Sequence, residues 1–280
     1  MGNHYVPQYY LRGFSPDGRN IFVYDKSDLR KFGTQVKSIA NICGLYPPDL
    51  EKYLSEKIEA PANRAIEKVR KRGRLTPNEK ITLSSYIAVM WKRVPEGESR
   101  VKRQAPKVAA DLRKRLDRQL DEAIAKNGAR EEFIESRRRE IYELIDRLSR
   151  EPTSDFWHQV IRAELTPNMI SAIATMTWRF LFYNTKPVFF TCDNPVFFFP
   201  ELGIGKAESE LCFPISSHIM LWATRRPELS EGYFPATMAI LKEMTRRIAS
   251  CATRYIFHAV EEDWILPFLR KGKWRLNLIQ

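Results

Sequence analysis

The stretch that most constrains this chain is residues 98–150, where Arg, Lys, Glu and Asp outnumber the Leu and Ile set among them. A helix with so few apolar positions cannot fill a core. Opposite charges three and four residues apart still support helices, by about 0.2–0.5 kcal/mol per pair. The segment therefore reads as two charged helices, broken around Asn127-Gly128, that form a hairpin inserted into something else. The core has to be built by 1–97 and 151–280 together, as one domain interrupted by the 98–150 insertion.

The two flanks differ in texture. Residues 1–48 are poor in helical pattern. Ile21-Phe22-Val23-Tyr24 follows the turn signal Ser15-Pro16-Asp17-Gly18, so a strand pair is expected there. From Leu50 apolar residues recur at helical spacing through Val69, with Pro61 marking a kink or break. Thr76-Pro77-Asn78-Glu79 supplies a cap, a first-turn proline and a closing glutamate, so a helix should run from there to about Arg93. Helices are expected over 153–165 and from Thr166-Pro167 through Leu181. Strands are expected at 188–191, 211–215, 219–224 and 254–260, with helices at 235–250 and 263–269. The class is α+β: β-rich N- and C-terminal parts forming one small sheet, a long helical middle, and the charged hairpin insertion.

The chain has 280 residues, a 44% hydrophobic share and 12% aromatic share, enough for a sizeable core. It has no apolar run of membrane-spanning length. The start, Met1-Gly2-Asn3-His4, lacks a leader's charged and apolar regions, and Val6 sits where a myristoylation signal needs Ser or Thr. Cys43, Cys192, Cys212 and Cys251 are widely spaced, as in reduced thiols rather than a disulfide frame or zinc site. A cytoplasmic protein without cofactor or resident metal is expected.

Charge is concentrated. Of the net +12, residues 61–110 carry +9, from 13 basic and 4 acidic side chains. Arg70, Lys71, Arg72, Arg74, Lys92, Arg93, Arg100, Lys102 and Arg103 lie in that window. A focus of this kind draws polyanions by counterion release, so nucleic acid, RNA or DNA, is the expected partner. The alternative is a solvated basic face.

Two motifs resemble a known family. One is His4-Tyr5-Val6-Pro7-Gln8-Tyr9-Tyr10-Leu11-Arg12-Gly13-Phe14, with Val23-Tyr24-Asp25-Lys26 following. The other is Thr191-Cys192-Asp193-Asn194-Pro195-Val196. Together they resemble a bacterial domain-of-unknown-function family that opens with an HYVPQ-type signature and carries a T-S-D-N-P-V-like turn, with Cys192 in place of the Ser. Ser38 through Tyr46 also looks like that family. The resemblance spans nearly the whole chain, least in 98–150. It brings no settled activity and implies only a loose association with bacterial defence or mobile elements.

Candidate site residues follow from these motifs. His4 sits among aromatic residues that should dock it, and its ordinary pKa near 6.5 suits proton transfer. The alternative is a histidine satisfied by a backbone carbonyl. Asp193 and Asn194 lie at a strand end before Pro195, either in a site or as Asx caps of the turn. Glu56 and Glu59, with Asn63, could hold a metal, but a solvated or salt-bridged face fits them better. Two functions are carried forward. The first is a metal-independent nuclease, RNA favoured, with His4, Gln8, Asp193 and Asn194 in one cleft. The second is a non-catalytic nucleic-acid-binding or sensor module. A protein-interaction scaffold built on the hairpin is a third class.

Overall fold

The computed structural model describes residues 2–127, 131–150, 153–162 and 167–279. The chain separates into two compact units, Met1–Val94 with Arg162–Gln280, and Pro95–Ile161.

In the first unit, strand β1 (Gly2–His4) leads through helix α1 (Gln8–Leu11) into the hairpin β2 (Asn20–Asp25) and β3 (Arg30–Gln35). Strand β4 (Asn41–Cys43) returns to pair antiparallel with β1. Helix α2 (Pro48–Tyr53) passes through a π-helical turn, Leu54–Glu59, into α3 (Ala60–Arg70). Pro61 therefore does not break the helix. It falls in the first turn of α3, where a missing N–H is tolerated, directly after the widened turn. Helix α4 (Pro77–Arg93) opens with the expected capping box: Glu79 N–H donates to Thr76 Oγ1 at 3.3 Å, and Thr76 N–H donates to Glu79 Oε2 at 2.7 Å.

The second unit contains α5 (Pro95–Asn127), α6 (Glu131–Arg150) and α7 (Ser154–Ile161). Charged pairs join the first two. Arg138 donates to Asp121 at 2.8 Å, and Tyr142 donates to Asp117. No helix among the described residues is long and apolar enough to cross a membrane.

The remaining elements complete the first unit: α8 (Pro167–Ala174), β5 (Thr177–Phe182), β6 (Thr191–Cys192), β7 (Phe197–Phe198), β8 (Glu210–Ser216), β9 (Ile219–Thr224), β10 (Gly232–Pro235), α9 (Met238–Cys251), β11 (Tyr255–His258) and α10 (Ile265–Arg270). The α+β class holds, but the strands do not form one small sheet. They divide into a five-stranded sheet, β10-β5-β9-β8-β7, a four-stranded sheet, β3-β2-β11-β6, and the β1–β4 pair. The division follows burial. Every residue of β8 and β9 is buried, so these strands form the interior of a sheet built wholly from the C-terminal part. The N-terminal hairpin is completed separately by β11 and β6.

Two expected elements change. The helix expected through Leu181 ends at Ala174, and Phe180 and Leu181 belong to β5. The run Thr177-Trp178-Arg179-Phe180 favours a pleated, half-buried surface over a helix. Thr166 lies outside the described residues. The strand expected at 188–191, and expected to be central, is reduced to Thr191–Cys192 at a sheet edge. Phe189 and Phe190 are buried in the core instead, and the N–H groups of Val188 and Phe189 both donate to the Ser217 carbonyl. The free cysteines are Cys43, exposed, Cys251, half-buried, and Cys192 and Cys212, buried.

The ends of the first unit meet at its junction, where Lys92 Nζ donates to the Arg162 carbonyl at 2.9 Å. Replacing Pro95–Ile161 with a short Gly/Ser linker is therefore expected to leave a folded protein with one cooperative thermal transition by circular dichroism. Insoluble chain would show that the first unit needs the second.

Candidate nucleic-acid interface

The N-terminal segment docks as its aromatic content requires: Tyr5, Val6, Tyr10, Leu11 and Phe14 are all buried. Tyr10 OH bonds Thr191 Oγ1 at 2.7 Å, joining the first motif to the second. His4 remains half-buried. Its Nε2 lies 3.2 Å from the Lys37 carbonyl, which makes it the donor, and Gln8 Nε2–H points at Nδ1 from 3.5 Å. Burial lowers the His4 pKa below its ordinary 6.5, so the ring is neutral at pH 7 and Nδ1 keeps its lone pair.

Asp193 and Asn194 are engaged by a different set of partners from His4. Both are buried. Asp193 accepts from Thr253 N–H at 2.8 Å, Thr253 Oγ1 at 2.5 Å, Arg254 N–H at 2.7 Å and Tyr255 N–H at 3.0 Å. Asn194 donates to the Cys251 carbonyl at 3.0 Å. Burial raises the Asp193 carboxyl, and these donors pull against it. The pair ties the end of α9 and the start of β11 to β6. The Asp193 carboxylate therefore serves a structural clamp, in which four donors from 253–255 use it.

The basic window also separates. Arg93 is 2% exposed and pairs with Glu59 at 2.5 Å, while its Nη2 donates to the His4 carbonyl at 2.7 Å. Glu59 is therefore a buried-pair partner, and Glu56 stays exposed. Lys92 is buried on the Arg162 carbonyl. Arg70 donates to the carbonyls of Ile215, Tyr9 and Tyr10. A Cβ on Gly13 would run into this guanidinium and come within 2.9 Å of the Ile215 oxygen, which explains the glycine after Arg12. Lys92 and Arg93 thus satisfy a backbone carbonyl and a carboxylate inside the fold, whereas Arg70, half-buried on its three carbonyls, also lines the hollow that holds Arg12 and Arg72. In the second unit Lys102 pairs with Glu98 at 2.9 Å and Arg103 with Glu96 at 2.6 Å, while Arg100 is half-buried. Lys71 pairs with Glu67.

Arg72 and Arg74 remain, and they line a cleft of about 1060 Å³ with Lys80, Trp178, Phe180 and Tyr233. Lys80 rests over the Trp178 ring and pairs with Glu231, an acidic residue of the same cleft, Arg72 sits 4.2 Å from the Phe182 centroid and donates to Asn184, and Tyr233 stacks on Phe180 at 5.0 Å. Arg72 also lines a second hollow with Arg12 and His218. Arg12 in turn lines a third with Gln8, Arg19 and Lys37. Arg72 and Arg12 thereby join three hollows into one track, which ends beside His4 through Gln8 and Lys37. Sequence reading missed Arg12, Arg19, Lys37 and Lys80. The first three fall in a segment whose net charge is only +1, though Arg12 stands in the opening motif itself.

Arg72 has φ of 57° and caps the C-terminus of α3, with its N–H on the Val69 carbonyl and Gly73 N–H on the Lys68 carbonyl. Glycine is the usual occupant of that left-handed position, and another residue costs about 1–2 kcal/mol there.

A family model described as "Protein of unknown function (DUF4238)" matches residues 3–262. The chain belongs to the DUF4238 family. The match takes in both the His4 opening and the Asp193 turn, so the clamp and the docked N-terminus lie within the family's span. No curated protein matches the chain, and no solved structure does. Among the described residues, no three of His, Cys, Asp and Glu gather as a metal site.

Asp193→Ala is expected to cost about 3 kcal/mol or more of unfolding free energy in urea, because three backbone N–H groups and a hydroxyl lose their acceptor. Lys71→Ala, which breaks an exposed pair, should change it by less than about 0.5 kcal/mol.

Proposed function

We propose that this protein binds single-stranded nucleic acid along the track that runs from Arg74 and Lys80 through Arg72 and Arg12 to Lys37. The observation that carries the reading is the track itself. Six cations, Arg12, Arg19, Lys37, Arg72, Arg74 and Lys80, follow one another through three connected hollows. Aromatic rings line the widest hollow, as in grooves where bases stack while cations follow the backbone. An arginine held in a left-handed conformation at the junction of two hollows supports it, since strain of this kind collects where a side chain is needed.

A hydrolytic reading is favoured by one observation: a neutral histidine at the end of the track, its Nδ1 facing only a long hydrogen bond. Such a base suits RNA. His4 Nδ1 would take the 2′-hydroxyl proton, the 2′-oxygen would form a bond to phosphorus, and the 5′-oxygen would leave and take a proton from water. No metal is required, and Gln8 would orient the ring. A role in bacterial defence would follow from such binding or cutting.

Neutralising six phosphates of a single strand gives a log–log salt slope of about −4, or an affinity loss of a few hundredfold between 50 and 200 mM salt. Fluorescence anisotropy of a labelled oligouridylate should show this slope. Replacing Arg72, Arg74 and Lys80 by Gln should flatten it, and replacing Lys102 and Arg103 should not. An affinity indifferent to salt would overturn the reading.

Arg72→Gly relieves the left-handed strain while removing a track cation. It should leave the melting temperature unchanged or higher and weaken oligonucleotide binding.

If His4 is the base, cleavage of single-stranded RNA should rise with pH and level off below pH 6.5, because burial lowers the pKa at which the ring loses its proton. His4→Ala should abolish cleavage with oligonucleotide affinity nearly unchanged. Equal rates for wild type and His4→Ala would leave the binding reading alone.

A further inference from the structure

A second pocket lies away from the track, where the Lys186–Val188 segment meets α9, β11 and α10. Its volume of about 380 Å³ falls within the range of small-ligand sites. The walls are apolar: Val188, Leu241, Trp264 and Phe268, with Trp264 and Phe268 packed edge to face at 5.8 Å. Trp264 is 42% exposed and Met238, at the mouth, is 61% exposed. Apolar side chains of this size around a hollow mark a contact surface more often than chance.

Two features define the chemistry of an occupant. The first is His258, which lines the pocket and is 1% exposed. Its Nδ1 lies 2.8 Å from the Val260 carbonyl and 3.4 Å from the Val260 N–H, and the much shorter contact puts the proton on that nitrogen. Nε2 then has only a lone pair, and it finds no hydrogen-bond partner among the described residues. A buried acceptor left unmet is costly, and a ligand N–H or O–H would recover that cost. The second is charge. Lys186, Lys242 and Arg246 stand at the rim against one carboxylate, Glu262. Arg246 also lies 3.5 Å from Glu243, a loose pair that leaves its charge available to an anion.

We propose that this pocket binds a mononucleotide-sized anion: a planar nitrogen heterocycle between the apolar walls, its N–H donating to His258 Nε2 and its phosphate among Lys186, Lys242 and Arg246. A fatty carboxylate would fill the walls and meet the cations but offers His258 no donor. A sugar phosphate would meet the cations and leave Trp264 and Phe268 wet. Only the heterocycle with a pendant anion matches all three features. The site stands apart from the track and does not depend on the function proposed for it.

Calorimetric titration of the full chain with adenosine, guanosine, cytidine and uridine 5′-monophosphates tests this, with the corresponding nucleosides and ribose 5-phosphate as comparison ligands. At least one nucleotide should bind with a stoichiometry of one. Its nucleoside and ribose 5-phosphate should bind at least tenfold more weakly. Lys242→Gln with Arg246→Gln, at positions outside the core, should weaken the nucleotide tenfold or more. His258→Phe, which keeps a ring and removes the acceptor, should do the same, and the rim variant decides the question should that protein fail to fold. Arg72→Gln with Arg74→Gln should leave nucleotide binding unchanged. The proposal falls if no nucleotide gives saturable heat, if ribose 5-phosphate binds equally well, or if the track variant abolishes binding while the rim variant does not.

Discussion

The Arg93–Glu59 ion pair holds the opening strand of the first unit against its helices. Arg93 ends α4, Glu59 ends the π-helical turn, and the guanidinium reaches the His4 carbonyl of β1. Tyr46 closes the arrangement by donating to the Arg93 carbonyl at 2.5 Å, and its ring lies beneath the guanidinium. One buried cation thus fixes four pieces of chain that sequence separation would otherwise leave independent. Such a pair need not add stability over an apolar substitute of equal volume, but losing one partner strands a charge. Its value here is positional: β1 pairs with β4 over three residues, and Arg93 adds a buried hold on the His4 carbonyl to that ladder.

The track depends on that arrangement in turn. Lys37 and Gln8 meet at His4 because β1 is pinned, and Arg12 follows α1 because Arg70 gathers the Tyr9 and Tyr10 carbonyls beneath it. Buried arginines therefore organise the backbone from which the exposed ones project. The two kinds alternate within a few residues, as in Arg70, half-buried on three carbonyls, and Arg72, exposed beside it.

That alternation explains what the sequence could and could not reveal. Local signals were legible. The capping box at Thr76, the hairpin after the Ser15 turn and the docking of the aromatic opening all depend on neighbours within a few residues. The charge focus was legible as a sum but not as a direction, since Arg70 turns inward to a carbonyl at Ile215, 145 residues away. The switch from α8 to β5 was hidden because Ile173, Met176, Phe180 and Leu181 keep helical spacing while the backbone changes period at Thr177. Asp193 could be read as a cap or as a reactive group, with the cap somewhat favoured. The donors that decide between these come from 253–255, which no local pattern links to it.

Residues 263–279 lie beyond the family match, yet the core is finished by them. Ile279 N–H donates to Glu210, which is fully buried between Arg247 and Arg226, and Asn277 N–H donates to Glu243. Arg247 returns the contact through the Asn277 carbonyl at 2.5 Å. The segment works as a keystone that bears on the layers beneath it. Without residues 277–279, two acidic side chains in the middle of the first unit would each lack a backbone donor, so the loss would register as loosening at β8 and α9.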